Sequence, residues 1–122
     1  TPAVVPAVEP LLVRSAVDDV RCRQWVDSVL GTLSLKERIG QLFIYTIAPY
    51  QDKGNKELLR KVVEDYKVGG LLFSGGLMQN QAILTNEAQR MADIPLLITF
   101  DGEWGLSMRL RGTPVFPKNM VL

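Results

Sequence analysis

Three apolar runs recur at a near-constant interval, and that interval limits the folds open to the chain more than any single motif. They cover residues 42–47, 68–73 and 95–100, so their starts lie 26 and 27 residues apart. None alternates cleanly between apolar and polar residues. Continuous apolarity is what a parallel strand covered on both faces requires, because both rows of side chains then meet packed helices. Two stretches of helical periodicity separate the runs. Residues 55–66 collect Leu58, Leu59, Val62, Val63 and Tyr66 on one face, with Lys56, Glu57, Arg60, Lys61 and Glu64 outside. Residues 79–92 collect Ile83, Leu84, Ala88 and Met91. The pattern predicts an α/β fold of βαβαβ order with parallel strands and right-handed crossovers.

Two helices are predicted ahead of the first strand. Trp25, Val26, Val29 and Leu30 share a helical face over 17–30, and Gly31 is placed to end that helix. Ser34-Leu-Lys-Glu37 reads as a capping box, Ser34 capping and Glu37 reaching back, for a helix over 35–41 that turns Leu35, Ile39 and Leu42 inward. Residues 1–16, with prolines at 2, 6 and 10, read as an extended leader or linker, and residues 17–122 as one domain. The stretch 111–122 reads as a long loop.

Charge and reactive side chains exclude several functions. Net charge is +1 with no basic run, which argues against nucleic acid or an anionic membrane as the main partner. No apolar run approaches the ~18 residues of a membrane span. The single cysteine, Cys22, cannot form an intrachain disulfide and reads as a packing residue. With no histidine in the chain, Ser-His-Asp and Cys-His catalysis and histidine-bearing zinc sites cannot be built from these residues alone. No metal ligand set and no cofactor is expected.

The richest local signal is Ile94-Pro-Leu-Leu-Ile-Thr-Phe-Asp-Gly-Glu-Trp-Gly105, a strand running into an acidic turn. Parallel α/β proteins bind ligands at the carboxyl ends of their strands. A carboxylate there can accept hydrogen bonds from sugar hydroxyls. Asp101 therefore has two readings, a cap for the turn or a ligand-holding group. Glu103 can be a second ligand or can pair with Arg109. Trp104 can be a sugar platform or loop packing. Asp101 and Glu103 are poor candidates for a glycosidase carboxylate pair, since residues two apart in one turn seldom flank a bound ring. Gly69-Gly70 suits close packing at a strand start. Gly75-Gly76 suits a tight turn or a backbone approach to a ligand, but no phosphate-loop spacing is present. A phosphoryl-accepting receiver domain needs an acid after the first strand as well, and Tyr45-Thr-Ile-Ala-Pro49 has none.

Together these segments resemble the N-terminal part of the catalytic barrel of glycoside hydrolase family 3. The resemblance lies in Trp25-Val-Asp-Ser-Val-Leu30, Leu33-Ser-Leu-Lys-Glu-Arg-Ile-Gly-Gln-Leu-Phe43, Val68-Gly-Gly-Leu-Leu-Phe73, residues 94–110 and Pro114-Val-Phe-Pro-Lys-Asn-Met120. The Glu-Trp-Gly version is most similar to the β-N-acetylhexosaminidase branch, with β-glucosidases close by. The resemblance implies a (β/α)8 barrel, a retaining two-step mechanism, and a carbohydrate substrate gripped by Asp101. It assigns Arg109 to the neighbourhood of that loop and leaves Glu103 and Trp104 as further substrate contacts. The family's nucleophilic aspartate, acid/base loop and lysine-histidine motif have no counterpart here. A full barrel takes about 250 residues. The chain is therefore expected to be the first three βα units, catalytically inactive alone, from an enzyme exported to the periplasm or medium of a bacterium. Its uncovered strand edges are expected to favour oligomers. A self-contained small α/β binding or interaction domain is the rival expectation.

Overall fold

The computed structural model describes residues 20–117, so the proposed leader at 1–16 and the end of the predicted loop lie outside the described residues. The chain divides into two compact units, residues 1–33 and 34–122.

The first unit contributes helix α1, Val20–Thr32. It runs through Gly31 instead of ending before it. The last turn has its own side-chain bonds: Ser28 Oγ donates to the Trp25 carbonyl and Thr32 Oγ1 to the Val29 carbonyl, both at 2.7 Å. Glycine costs a helix only about 1 kcal/mol, too little to stop it by itself.

The second unit begins with α2, Leu35–Gly40, and the capping box forms as the spacing predicts. The Glu37 N–H donates to Ser34 Oγ at 3.3 Å, and the Ser34 N–H donates to Glu37 Oε2 at 2.8 Å. Strand β1 (Ile44–Ile47), helix α3 (Lys53–Arg60), strand β2 (Gly70–Phe73), the short strand β3 (Gly76–Leu77), helix α4 (Met78–Met91), strand β4 (Leu97–Thr99) and the short strand β5 (Leu110–Arg111) follow in order. Helix α3 widens into a π-helical stretch over Lys61–Asp65 before the chain turns at Lys67, whose φ is +51°.

The three long strands are parallel with β2 in the middle, as the cadence predicts. Ile44, Gly70 and Leu97 lie side by side, as do Tyr45, Leu71 and Ile98. Because side chains alternate along a strand, these rows define the two faces of the sheet. Ile47, Leu71 and Phe73, with Ile98 beside them, meet Leu59, Val62 and Val63 from the α3 segment and Leu84 and Ala88 from α4 in one core. The opposite face carries Ile44, Thr46, Leu72, Leu97 and Thr99. There Leu97 is 59% exposed and Ile44 48%. The strands are therefore covered on one face, not on both. Continuous apolarity reports what each strand is built to bury, and residues 34–117 supply helices for one side only.

The same applies to α2. Leu35, Ile39 and Leu42 are exposed instead of inward, because no element of residues 34–117 lies over them. Helix α2 is nevertheless docked at its end. The Gly40 backbone lies so close to Tyr66 that a Cβ there would sit 2.0 Å from the Tyr66 carbonyl oxygen. Gly69 likewise admits the Gln41 carbonyl, and Gln41 Nε2 donates to the Lys67 carbonyl at 2.7 Å. Lys67 Nζ pairs with Asp93. These contacts join the amino ends of β1, β2 and β4. Gln89 ties α4 to the start of β4 with two 2.9 Å bonds, donating to the Leu96 carbonyl and accepting from its N–H.

Candidate functional site

Parallel strands put all their carboxyl ends at one edge of the sheet, so the loops after β1, β2 and β4 form a common rim. The loop after β1 is held by bonds from Asn55, with Gln51 Nε2 also donating to Asn80 Oδ1 at 3.0 Å. Asn55 Nδ2 donates to the Ala48 carbonyl at 2.8 Å and to the Tyr50 carbonyl at 2.7 Å, while Asp52 caps α3 by accepting the Asn55 N–H. Pro49, between the two carbonyls, is fully buried.

The loop after β2 is stitched to a distant segment. Strands β3 and β5 pair in parallel, Gly76 beside Leu110 and Leu77 beside Arg111, and the Gly76 N–H donates to the Arg109 carbonyl at 3.0 Å. The predicted loop at 111–122 thus begins with paired residues. Two-residue strands have no periodicity of their own, so nothing in the sequence marked them.

The loop after β4 carries the acidic turn. Asp101 stands two residues past Thr99, and its side chain is 48% exposed. The turn behind it closes through its own backbone, the Gly105 N–H donating to the Gly102 carbonyl at 2.9 Å. The Asp101 carboxylate instead faces Arg109, whose Nη2 pairs with Oδ2 and whose Nε donates to the Asp101 carbonyl at 3.2 Å. One guanidinium thus fixes the carboxylate and the backbone beneath it, a geometry lysine could not reproduce. The Asp101 side chain remains partly exposed beside the guanidinium.

The geometry fixes the pairing within the turn. Asp101 is not the turn cap. Arg109 pairs with Asp101 rather than with Glu103, whose side chain makes no hydrogen bond or ion pair among the described residues. Trp104 is 44% exposed on the same turn, beside Leu106 at 53%. The structure therefore joins Asp101 to Arg109 and places Glu103 and Trp104 on the same loop.

An apolar cavity of about 290 Å³ lies at the other end of the strands, lined by Lys36, Ile39, Gly40, Phe43, Tyr45, Tyr66 and Val68. It has almost no polar group to orient a small ligand and is the uncovered flank of α2 and β1. Among the described residues no helix is long and apolar enough to cross a membrane, and no His, Cys, Asp and Glu cluster could hold a metal ion.

A parallel α/β wall with an arginine-held carboxylate on its carboxyl rim defines a class by architecture: part of a barrel-like α/β domain. The chain belongs to the glycosyl hydrolase family 3 N-terminal domain family, whose model matches residues 34–122, and that domain is a TIM-barrel-like α/β unit. The solved structure of the beta-glucoside phosphorylase BglX bound to 2FGlc is similar, with a TM-score of 0.53 and 27% identity. The similarity covers 62% of this chain and 13% of that one. No curated protein sequence gave a significant match. The chain thus spans a small part of the length of its structural relative, and it represents a glycosidase-family segment.

Proposed function

We propose that this segment supplies the Asp101 sugar contact of a retaining β-glycosidase acting on terminal β-linked N-acetylglucosaminides. The observation that carries the reading is the Asp101–Arg109 pair on the carboxyl rim. It holds a partly exposed aspartate where barrel enzymes bind substrate, in a chain of the matching family. Glu103 and Trp104 are proposed as outer contacts, the indole offering a flat face to a pyranose ring. The nucleophile and the proton donor are proposed to lie outside these residues, so the 122-residue chain alone is inactive, and the whole enzyme is proposed to be exported. A second reading, a β-glucoside substrate, is favoured by the similarity to a beta-glucoside phosphorylase.

Assays of the full-length protein on chromogenic β-N-acetylglucosaminide and β-glucoside, each with and without inorganic phosphate, separate these readings. The expected result is turnover of the N-acetylglucosaminide without phosphate. Asp101→Ala should cut kcat/KM about 10- to 100-fold, the worth of hydrogen bonds to a charged group. Unchanged kcat/KM in a folded Asp101→Ala protein would remove Asp101 from the site.

A further inference from the structure

We infer that Pro49, Gly75 and Gly76 form a wedge that positions Arg109, and through it Asp101. The inference rests on the reading of Asp101 as a sugar contact and adds residues that touch no sugar. The chain of contacts is continuous. Asn55 fixes the carbonyls on both sides of Pro49, so the buried ring cannot shift with its loop. The ring lies against Gly76 so closely that a Cβ there would meet Pro49 Cγ at 2.5 Å and Cδ at 3.2 Å. A Cβ on Gly75 would meet the Arg109 carbonyl oxygen at 2.9 Å. Both glycines have positive φ, +122° and +157°, which side-chain-bearing residues rarely adopt.

Pressed between the ring and β5, Gly76 gives its N–H to the Arg109 carbonyl. The Arg109 backbone is thereby set by the loops after β1 and β2, while its guanidinium sets the loop after β4. Three rim loops share one register. The glycines are needed for this register, because a Cβ at 75 would press the β2 loop off the Arg109 carbonyl, and a Cβ at 76 would collide with the Pro49 ring and force the loop pairing with Arg109 to shift. These are positioning residues: their effect on substrate passes entirely through Arg109.

The test is Gly76→Ala in the full-length protein. KM should rise about tenfold with kcat little changed, as for lost binding shared by ground and transition states. Adding Pro49→Gly removes the ring from the collision and should recover most of the KM loss. In an Arg109→Ala background, Gly76→Ala should cost little more, because both changes act on one contact. A crystal structure of the Gly76→Ala protein reads the geometry without sugar. A displaced guanidinium supports the wedge, and an unmoved Arg109–Asp101 pair overturns it whatever the kinetics. A displaced guanidinium with unchanged KM keeps the wedge and instead removes Asp101 from sugar binding. Should Gly76→Ala fail to fold, Pro49→Ala loosens the wedge without a collision. It should raise KM in the same direction by less and show a displaced guanidinium in its crystal structure, and an unmoved Arg109–Asp101 pair there overturns the proposal.

Discussion

The two faces of the sheet are built from the same kinds of residue and live in opposite surroundings. On the helix-covered face, Leu71 and Phe73 are fully buried against Leu59, Val62 and Leu84. On the other, Ile44 and Leu97 close over Gly70 yet remain about half exposed. A side chain's hydrophobicity therefore does not measure its contribution; what it is packed against does. Burying a large apolar side chain is worth about 1.5–3 kcal/mol, and the exposed face has not yet gained that amount.

The sharpest way to break this comparison is to truncate one residue on each face. Phe73→Ala should cost about 3–5 kcal/mol in urea unfolding, from lost burial plus the cavity left behind. Leu97→Ala should change the stability of the 122-residue chain by about 0.5 kcal/mol or less. In the full-length protein, where a barrel would close over Leu97, the same change should cost about 2–5 kcal/mol. Equal costs for Leu97→Ala in both settings would show that this face is never covered.

Next in size is Gly40→Ala. Its Cβ would collide with two backbone carbonyls at 2.0 and 2.8 Å, neither free to swing aside. Overpacking of this kind costs about 1–3 kcal/mol, occasionally more, and thermal melting should show it.

Smaller again is Ser34→Ala. Helix α2 has six residues and exposes Leu35 and Ile39, so it depends on its cap more than on burial. Loss of the cap should cost about 1 kcal/mol. Hydrogen exchange should speed up in α2 and stay unchanged in α4, whose Leu84 and Ala88 are buried.

The smallest effect is a pH dependence at the same end of the sheet. Ser34, through its hydroxyl and then its N–H, holds the Glu37 carboxyl below its ordinary value of 4.5. That contribution is complete above pH 4.5 and is lost as pH falls through the lowered value. Asp93, by hydrogen bond, holds the Lys67 ammonium above its ordinary 10.5. Its contribution is complete below pH 10.5 and is lost as pH rises through the raised value. Glu37→Gln should flatten the acid arm of a stability–pH profile and change the alkaline arm only slightly, because Glu37 adds less than Asp93 to the raised Lys67 value.

What the sequence made legible was what repeats or what is local. The spacing of 26 and 27 residues gave the strand order, and Ser34 with Glu37 gave a cap that forms within four residues. The bounds of the strands were less legible. Runs of six apolar residues became strands of four, four and three, because the first residues of each run serve the amino-end contacts at Gly69 and Leu96. The site was half legible. Asp101 was marked by its place after a strand, but its partner depended on how the turn at 102–105 directs two nearby carboxylates, and Arg109 took the one on the strand end. The pairing of Gly76 with Leu110 spans 34 residues and left no trace in composition or period.

The strand pairing also has a consequence in time. Every strand pair among the described residues joins positions at least 26 apart, and none of them is a hairpin. Loop closure must therefore precede any reward from strand hydrogen bonds, which places this segment among slow-nucleating topologies. During synthesis the middle strand, β2, can pair with β1 early but has to wait for β4, leaving an apolar edge open as the chain grows. The need for prompt partners during growth, more than final stability, is the pressure this arrangement puts on the cell that makes it.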